Sequence, residues 1–499
     1  MKPSGNQGYF SHLYGHSLAL FTDLYQLTMA YGYWKVGYDK IDSVFHHFFR
    51  RTPFHGGFTI ACGLAPLIEF IQNFHFSDDD IDYLSGLKTP DNQLLFEEAF
   101  LSYLKNMRFT GDIDAIPEGT VVFPYEPLLR IRAPLIECQI LETVILNLLN
   151  FSTLIATKAA RVCLAAKDDP VLEFGARRAQ GIDGALSASR AAHIGGCYAT
   201  SNVLAGKLYG IPVRGTHSHS WVMAFSDELE AFRAYAEAMP NNCVFLVDTY
   251  DTLDGVKRAI EVGLWLRERG KKLLGIRLDS GDLADLSIKS RQMLDEAGFK
   301  DAYIVASNEL NETIISELKR QGAQIGIWGV GTHLITAYDQ PALDGVYKLS
   351  AIRDASGKWV HKMKLSEQQT KMSNPGVLQV KRFLRNGLHA GDVIYDIHLG
   401  LEKTPCAVDP FDSTKEQLFN REYTSEDLLV PIFREGKCIY ASPSLQEIRE
   451  HRKKSLQLFP IGTKRFLNPQ TTFVGMERKL YDAKIKLIKE VRGVPQTDE

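Results

Sequence analysis

Between about residues 170 and 350, short apolar runs suited to β-strands alternate with segments of helix length. The runs are VLEF, IPVRG, CVFLVD, LLGIRLD, YIVAS, IGIWG and VYKLS, and most are separated by segments such as 226–239 and 282–297. This alternation predicts parallel strands joined by crossover helices. Seven such strands favour an irregular (β/α) barrel over an open, doubly wound sheet.

The sequence on either side of this alternation has a different character. Residues 41–140 contain β-rich runs between proline and glycine turns, interrupted by one acidic helical segment near 78–107. We therefore predict an α/β protein in three parts. These are a mixed β-rich N-terminal domain over 1–141, an α/β barrel catalytic domain over 142–394 and an α+β C-terminal extension over 395–499.

Charge balance and cysteine usage narrow the class of partner. The chain has 57 Lys and Arg against 60 Asp and Glu, a net charge of −3, so it has no excess of positive charge for nucleic acid or a membrane surface. Its 7 cysteines include no CxxC pair for zinc and suit a reducing compartment. The opening segment MKPSGNQGYFSHLYGHS is polar and lacks an apolar signal core. We expect a soluble, cytoplasmic protein that binds small molecules, with no nucleic acid and no membrane as partner.

Polar residues follow six consecutive predicted strands. In a parallel barrel, side chains just past the C-terminal strand ends converge on one mouth, which is where such enzymes place their active sites. Any one of these residues is equally well explained as a helix N-cap, but six in register favour a site. In chain order they are Arg177 and Arg178, Thr216 to His219, Asp248, Asp279 to Asp282, Ser307 and Asn308, and Gly329 to Thr332.

Two of these groups suggest charge chemistry. Asp248 and Asp279 can share one Mg²⁺ or stabilise a developing positive charge, although Asp279 can also serve as a helix cap. Gly329, Gly331 and Thr332 follow a strand and precede a helix-like segment, so their backbone N–H groups can cradle a phosphate. A plain tight turn explains the glycines as well.

The segment GTHSHSW places two histidines at i and i+2. On an extended chain, His217 and His219 point the same way. They can ligate a metal, act as acid and base, or expose one imidazole nitrogen as a nucleophile. The alternative is that they are hydrogen-bonded structural histidines.

Two other classes of protein compete with a group-transfer enzyme. A barrel aldolase or isomerase acting on sugar phosphates needs a catalytic lysine or a base pair at the strand ends, and none of the six strand ends carries a lysine. A non-catalytic sensor of phosphate ligands would keep the barrel without the chemistry. The intact histidine and both aspartates disfavour the sensor.

At these residues the sequence resembles the nicotinate phosphoribosyltransferase family, whose members attach a pyridine base to 5-phosphoribosyl 1-pyrophosphate. The similar stretches run in order through at least the first 390 residues. A quinolinate phosphoribosyltransferase is a rival interpretation, but this chain is too long for one and its matches lie elsewhere. The stretches are TDLYQLTMAYGYWK, FFRRTPFHGGFTIACGL, EFGARRAQG, GTHSHSW, IRLDSGDL, ASNELNE and WGVGTHLITAYDQPALDGVYKL.

The resemblance implies an activity. It is the formation of nicotinate mononucleotide and pyrophosphate from nicotinate and 5-phosphoribosyl 1-pyrophosphate, with coupled ATP hydrolysis, in NAD biosynthesis. The resemblance also implies Mg²⁺, ATP as co-substrate, classification as a ligase, and a homodimer whose active sites lie between the subunits.

The resemblance further implies roles for individual residues. His219 is similar to the histidine that is transiently phosphorylated by ATP. Tyr25 of the neighbouring subunit and Phe174 are similar to the aromatic pair that sandwiches the pyridine ring. Arg177 and Arg277 are similar to the family's anion contacts.

Three further implications concern the phosphate, the base and the second histidine. Gly329, Gly331 and Thr332 resemble the cradle for the ribose 5-phosphate. Ser201 stands where nicotinamide-using relatives carry an aspartate, so the pocket is expected to favour an acid. The family usually has another residue at the position of His217, and the register of the motif favours His219 as the phosphorylated residue.

Overall fold

The structure is a computed structural model that describes residues 17–493, apart from the side chain of Gln369. The prediction that the chain has no apolar signal core rests mostly on the polar stretch 1–16, which lies outside these residues. By contacts the chain divides into two compact units, which are Met1–Thr153 with Ala342–Glu499 and Leu154–Pro341.

Helices and strands of the described chain alternate mainly between residues 171 and 335, and short 3-10 turns lie at Pro53–His55, Ala176–Arg178 and Gln369–Lys371. The α-helices are α1 (Leu24–Lys35), α2 (Leu64–Gln72), α3 (Asp78–Ser85), α4 (Glu98–Asn106), α5 (Leu135–Ile140), α6 (Glu142–Ala166), α7 (Gly181–Gly195), α8 (Val203–Tyr209), α9 (His219–Met223), α10 (Glu228–Ala238), α11 (Thr252–Glu268), α12 (Leu283–Glu296), α13 (Glu312–Arg320), α14 (Thr332–Ile335), α15 (Leu445–Gln457) and α16 (Arg478–Val491).

The strands are β1 (Asp42–Phe49), β2 (Thr59–Ile60), β3 (Asp112–Ala115), β4 (Val121–Val122), β5 (Leu129–Pro134), β6 (Val171–Glu173), β7 (Ala199–Thr200), β8 (Val244–Leu246), β9 (Gly275–Leu278), β10 (Tyr303–Ala306), β11 (Ile327–Val330), β12 (Gly345–Arg353), β13 (Trp359–His361), β14 (Leu378–Arg385), β15 (Leu388–Asp396), β16 (Cys406–Val408), β17 (Glu416–Leu418), β18 (Thr424–Asp427), β19 (Val430–Arg434), β20 (Lys437–Cys438) and β21 (Val474–Glu477).

The unit over Leu154–Pro341 contains a parallel sheet of six strands in the order β7-β6-β11-β10-β9-β8, which we call the central sheet. Every neighbouring pair in it is parallel. The strands are short and almost wholly buried, as expected where crossover helices cover a parallel sheet. The predicted α/β alternation is therefore confirmed.

The predicted barrel is not confirmed, and two of its predicted strands differ. Within residues 17–493 no pairing joins β7 to β8, so the hydrogen-bonded row stays open. The run IPVRG contributes only an isolated bridge from Val213 to Thr200, beside the strand Ala199–Thr200 that the sequence analysis missed. The run VYKLS lies in β12, which pairs antiparallel with β1 in the other unit.

The other compact unit is built around two larger sheets, in which all neighbouring strands are antiparallel except β15 and β21, which pair in parallel. One has the order β13-β12-β1-β5-β3-β19-β20, and a second has the order β17-β16-β21-β15-β14-β18. The first of these sheets draws strands from all three predicted parts of the chain. The predicted domains follow the order of the chain, whereas the compact units follow this pairing between distant strands.

The N-terminal part is more helical than its sequence pattern indicated. Two helices, α3 and α4, occupy the region near 78–107 in which one acidic helical segment was predicted, and a further helix, α2, precedes them. Ser77 and Asp80 form a capping box that starts α3. The helix α2 was missed because its run is apolar almost throughout, and periodicity alone does not separate such a run from a buried strand.

One helix of the described chain, α6, is long and apolar enough to cross a membrane by length and composition. Two-thirds of its most apolar window, 67%, is buried inside the protein. Burial of that extent is also found in the core helices of proteins that never enter a bilayer.

Glycine is required where α11 crosses the end of the central sheet. A Cβ on Gly255 would lie 2.1 Å from the carbonyl oxygen of Val247. We expect Gly255→Ala to lower the free energy of unfolding by about 1–3 kcal/mol, because the helix must move away from the strand. The matched control is Gly184→Ala inside α7, where a Cβ meets nothing within 4 Å and alanine should stabilise by up to about 1 kcal/mol. Urea unfolding of both variants tests the pair, and similar stabilities would contradict it.

Candidate active site

Three side chains at the ends of β9 and β10 form one hydrogen-bonded group. Arg277 donates from Nη2 to Oδ1 of Asp279 at 3.0 Å and from Nε to Oγ of Ser307 at 2.7 Å. The hydroxyl of Ser307 in turn donates to the Asp279 carboxylate. Because β9 and β10 are parallel neighbours, their carboxyl ends bring these groups together. The Asp279 carboxylate is thus fixed through Oδ1, while its Oδ2 lies near His219.

Asp248, which follows β8, lies against the same loop. Its Oδ2 accepts from the backbone N–H of Asp279 at 2.9 Å and from the hydroxyl of Ser280 at 2.5 Å. Its Oδ1 is buried without a hydrogen-bond partner among the described residues. Asp282, not Asp279, caps the following helix, through hydrogen bonds from the backbone of α12. Both carboxylates therefore remain available for chemistry.

The two carboxylates suit a hard cation. A buried carboxylate oxygen without a donor is an unsatisfied charge that a cation would neutralise. Mg²⁺ is typically held by one or two carboxylates together with water and substrate phosphates. No group of three or more metal-ligating side chains occurs within residues 17–493, so Asp248 and Asp279 would need such additional ligands.

His219 begins α9 and faces this group of acids. Its Nδ1 lies 3.1 Å from Oγ1 of Thr249, and its Nε2 lies 3.8 Å from Oδ2 of Asp279. The side chain is 40% exposed. The imidazole is therefore held along one edge while remaining open to a ligand.

His217 has a different environment from His219. Its Nε2 accepts from the backbone N–H of Leu246 at 3.3 Å, and its ring lies 5.0 Å from that of Tyr235. Burial lowers the pKa of His217 to about 4. A metal pair of His217 and His219, one of the alternatives from the sequence, is not supported, because Nε2 of His217 is engaged by the backbone of Leu246 while His219 begins α9. His217 is a buried structural histidine.

Phe174, directly after β6, packs against both Arg277 and Gly329. Its ring lies 5.6 Å from the guanidinium carbon of Arg277. A Cβ on Gly329 would lie 2.7 Å from a carbon of that ring, so glycine is needed there for packing. Gly331 and Thr332 follow at the start of α14. Phe174 and the two glycines thus lie side by side. Gly329, however, lies within β11 and not in a turn after it, so only Gly331 and Thr332 follow the strand as predicted.

Sequence reasoning missed Glu173, which organises the neighbouring strand ends. It is 1% exposed, and its Oε2 accepts from the hydroxyls of Ser189 at 2.8 Å and Thr200 at 2.6 Å. Its backbone carbonyl accepts from the N–H of Ser201 at 2.9 Å. Glu173 therefore fixes the turn that carries Ser201. An acid inside the apolar run VLEF was the available signal, because a buried carboxylate requires donors.

Two predicted site residues are more exposed. Arg177 lies in the turn Ala176–Arg178 and has no hydrogen-bond or ion-pair partner among the described residues. Tyr25 belongs to α1 in the other compact unit and is 49% exposed. Partial burial, with Glu142 and Asp23 nearby, raises the pKa of the Tyr25 phenol. Both side chains are open to ligands.

The family models and the sequence relatives agree on one family. Its profiles match consecutive parts of the chain: the nicotinate phosphoribosyltransferase N-terminal domain over 20–150, the nicotinate phosphoribosyltransferase family over 170–386 and the nicotinate phosphoribosyltransferase C-terminal domain over 379–484. The nicotinate phosphoribosyltransferase of Bacillus subtilis is 44% identical over 484 residues, covering 96% of both chains. That of Homo sapiens is 33% identical, covering 92% of this chain and 95% of the relative. The crystal structure of human nicotinic acid phosphoribosyltransferase matches 93% of this chain and 99% of its own, with a TM-score of 0.81 and 30% identity.

The environment of His217 predicts a pH dependence of stability. Its pKa is about 4 in the folded protein and near 6.5 in an unfolded chain, so the unfolded state binds more protons between these values. Stability should therefore fall as the pH falls from about 6.5 to 4. We expect His217→Gln to remove up to about 3 kcal/mol of that fall. Urea unfolding from pH 4 to pH 8 measures it, with pH 8 giving the cost of the substitution alone. A pH dependence equal to that of the wild type would contradict the assignment.

Proposed function

The chain belongs to the nicotinate phosphoribosyltransferase family, and on this premise we propose that the site at the ends of β8, β9 and β10 carries out the transfer. The activity is that of a nicotinate phosphoribosyltransferase in NAD biosynthesis. The proposed reaction joins nicotinate and 5-phosphoribosyl 1-pyrophosphate into nicotinate mononucleotide and pyrophosphate, coupled to ATP hydrolysis as in a ligase. The observation that carries the proposal is the group of Arg277, Asp279 and Asp248 at neighbouring ends of parallel strands.

In the transfer step, the bond from ribose C1 to the pyrophosphate oxygen breaks and a bond from C1 to the pyridine nitrogen forms. Positive charge develops on the ribose and negative charge on the leaving group, and fixed charges stabilise both. The carboxylates of Asp248 and Asp279 supply the negative charge, and Arg177 and Arg277 supply anion contacts. Mg²⁺ held by the two aspartates would neutralise the pyrophosphate.

The remaining residues bind the substrates. Phe174, beside Arg277, offers a ring for stacking on the pyridine, and the guanidinium suits the nicotinate carboxylate. The segment Gly329 to Thr332 is proposed to hold the 5-phosphate. The hydroxyl of Ser201 can donate a hydrogen bond to the carboxylate of the base.

In the ATP step, we assign His219 as the phosphate acceptor. A lone pair on Nε2 attacks the γ-phosphorus, the N–P bond forms and the P–O bond to ADP breaks. Water later cleaves the N–P bond and releases phosphate. While it lasts, the phosphohistidine adds negative charge beside Asp279, which alters the affinity for anionic substrates and couples the two reactions.

We also propose a cytoplasmic homodimer whose parallel sheet is part of an irregular barrel and whose Tyr25 completes the partner's site. The exposed phenol of Tyr25 supports this, because a neutral, accessible ring is available for stacking on a pyridine. The partners of the protein are then small molecules and a second copy of the chain.

Product analysis tests the function as a whole. The protein is incubated with 5-phosphoribosyl 1-pyrophosphate, Mg²⁺ and each of nicotinate, nicotinamide and quinolinate, with and without ATP. We expect nicotinate mononucleotide and pyrophosphate in equal amounts, increased by ATP, from nicotinate. Turnover of quinolinate with release of carbon dioxide, or no turnover of any base, would refute the proposal.

Replacing His219 tests the ATP step. We expect His219→Ala to abolish the stimulation by ATP while leaving the fold intact, since the side chain is partly exposed. The wild type should carry an acid-labile, base-stable phosphate from γ-labelled ATP. Circular dichroism and the unfolding midpoint control for folding. Unchanged labelling of His219→Ala would move the role to another residue.

Replacing Ser201 tests the choice of base. A lost discriminating polar contact costs about 1–3 kcal/mol, so we expect nicotinate to be preferred over nicotinamide by roughly tenfold to a hundredfold. An aspartate in place of Ser201 would repel the nicotinate carboxylate and accept from the amide, so Ser201→Asp should erode the preference. Ser201→Ala serves as control for loss of the hydroxyl alone. Comparable kcat/KM for both bases in the wild type would show this role of Ser201 to be wrong.

Mixing two defective variants tests the shared site. Tyr25→Ala and Asp279→Asn should each be weakly active alone. If each site uses Tyr25 of one subunit and Asp279 of the other, random heterodimers regain one intact site, giving about one quarter of wild-type activity. Activity after mixing that only equals the mean of the two variants would place both residues in sites within one subunit.

A further inference from the structure

The phosphate acceptor proposed above has one hydrogen-bond partner within residues 17–493. Nδ1 of His219 lies 3.1 Å from Oγ1 of Thr249. The other ring nitrogen, Nε2, is 3.8 Å from Oδ2 of Asp279, which is beyond hydrogen-bond distance. The orientation of the imidazole therefore depends on a single hydroxyl group.

That hydroxyl comes from a loop that is held by hydrogen bonds to its neighbour. Thr249 directly follows Asp248, whose Oδ2 is fixed by the backbone N–H of Asp279 and the hydroxyl of Ser280. The loop after β8 is thereby tied to the loop after β9. A side chain on such a loop keeps its hydroxyl in one place, which a positioning role requires.

We propose that Thr249 is a positioning residue that selects the nitrogen of His219 to be phosphorylated. Its hydroxyl oxygen accepts the Nδ1–H, so the proton stays on Nδ1 and the lone pair stays on Nε2. This inference rests on the proposed ATP step. When Nε2 bonds to the γ-phosphorus and ADP leaves, the ring keeps its Nδ1 proton and gains positive charge. The hydrogen bond to Thr249 then becomes charge-assisted and stronger.

The opposite arrangement makes a different product. If the Thr249 hydroxyl donated to Nδ1, the proton would lie on Nε2, and the only free lone pair would belong to the hydrogen-bonded nitrogen. Phosphate on Nε2 and phosphate on Nδ1 are separable isomers of phosphohistidine. The position of the phosphate therefore reports the role of Thr249 directly.

The experiment compares Thr249→Val, which removes the hydroxyl at nearly constant shape, with Thr249→Ser, which keeps it. Thr252→Val, a few residues along at the start of α11, has no side-chain hydrogen bond within the described chain and is the matched control. Each protein is labelled with γ-labelled ATP in the presence of Mg²⁺, and the initial rate is measured. The phosphohistidine isomer is then identified after digestion.

We expect the wild type, Thr249→Ser and Thr252→Val to carry phosphate on Nε2 at similar rates. Thr249→Val should be labelled about tenfold more slowly, the effect of losing one hydrogen bond, and its phosphate should be divided between both nitrogens. Labelling of Thr249→Val on Nε2 at the wild-type rate would overturn this inference and leave the ATP step standing. Absence of label on the wild type would overturn the ATP step and, with it, the role of Thr249.

Discussion

The hydrogen bonds among Arg277, Asp279 and Ser307 are the interaction on which the site depends. A guanidinium, a carboxylate and a hydroxyl that share their donors and acceptors satisfy one another at the partly buried end of the sheet. Each would be costly to leave there without a partner. They meet because β9 and β10 are parallel and in register, which also brings Asp248 and its loop into reach. The pairing of β9 and β10 therefore sets both the positions and the charges of the side chains in the site.

The sequence was sufficient to locate the candidate site because parallel strands place their ends on one side. Asp248 and Asp279, which end the runs CVFLVD and LLGIRLD, lie just past the carboxyl ends of β8 and β9, and Arg177 follows β6. The rule for parallel strands places them there without knowledge of side-chain contacts. The contacts between side chains within the site could not be predicted from the sequence. Nothing in the pattern of GTHSHSW shows that one histidine enters the interior and the next begins a helix. Glu173 was overlooked for the same reason, since its donors come from α7 and β7.

The fold was predictable where pairing is local and unpredictable where it is distant. The alternation between 170 and 341 specifies neighbouring parallel strands. The run VYKLS has the same local pattern, yet it pairs with β1, some 300 residues away in the chain. The composition of a strand predicts that it will be buried in a sheet, but does not predict which sheet it joins. Periodicity within the run VYKLS does not identify a partner strand so far away in the chain.

The buried imidazole of His217 has a consequence for how the protein behaves among other chains. The strand β8 is the last in its row, and an outermost strand offers unpaired N–H groups to any extended peptide that approaches. The hydrogen bond from the N–H of Leu246 to His217 occupies one of these groups with a side chain from its own unit. A fixed ring at that place leaves an incoming strand with an incomplete ladder. The histidine that is buried in this unit therefore also takes up a backbone donor that an added strand would otherwise use.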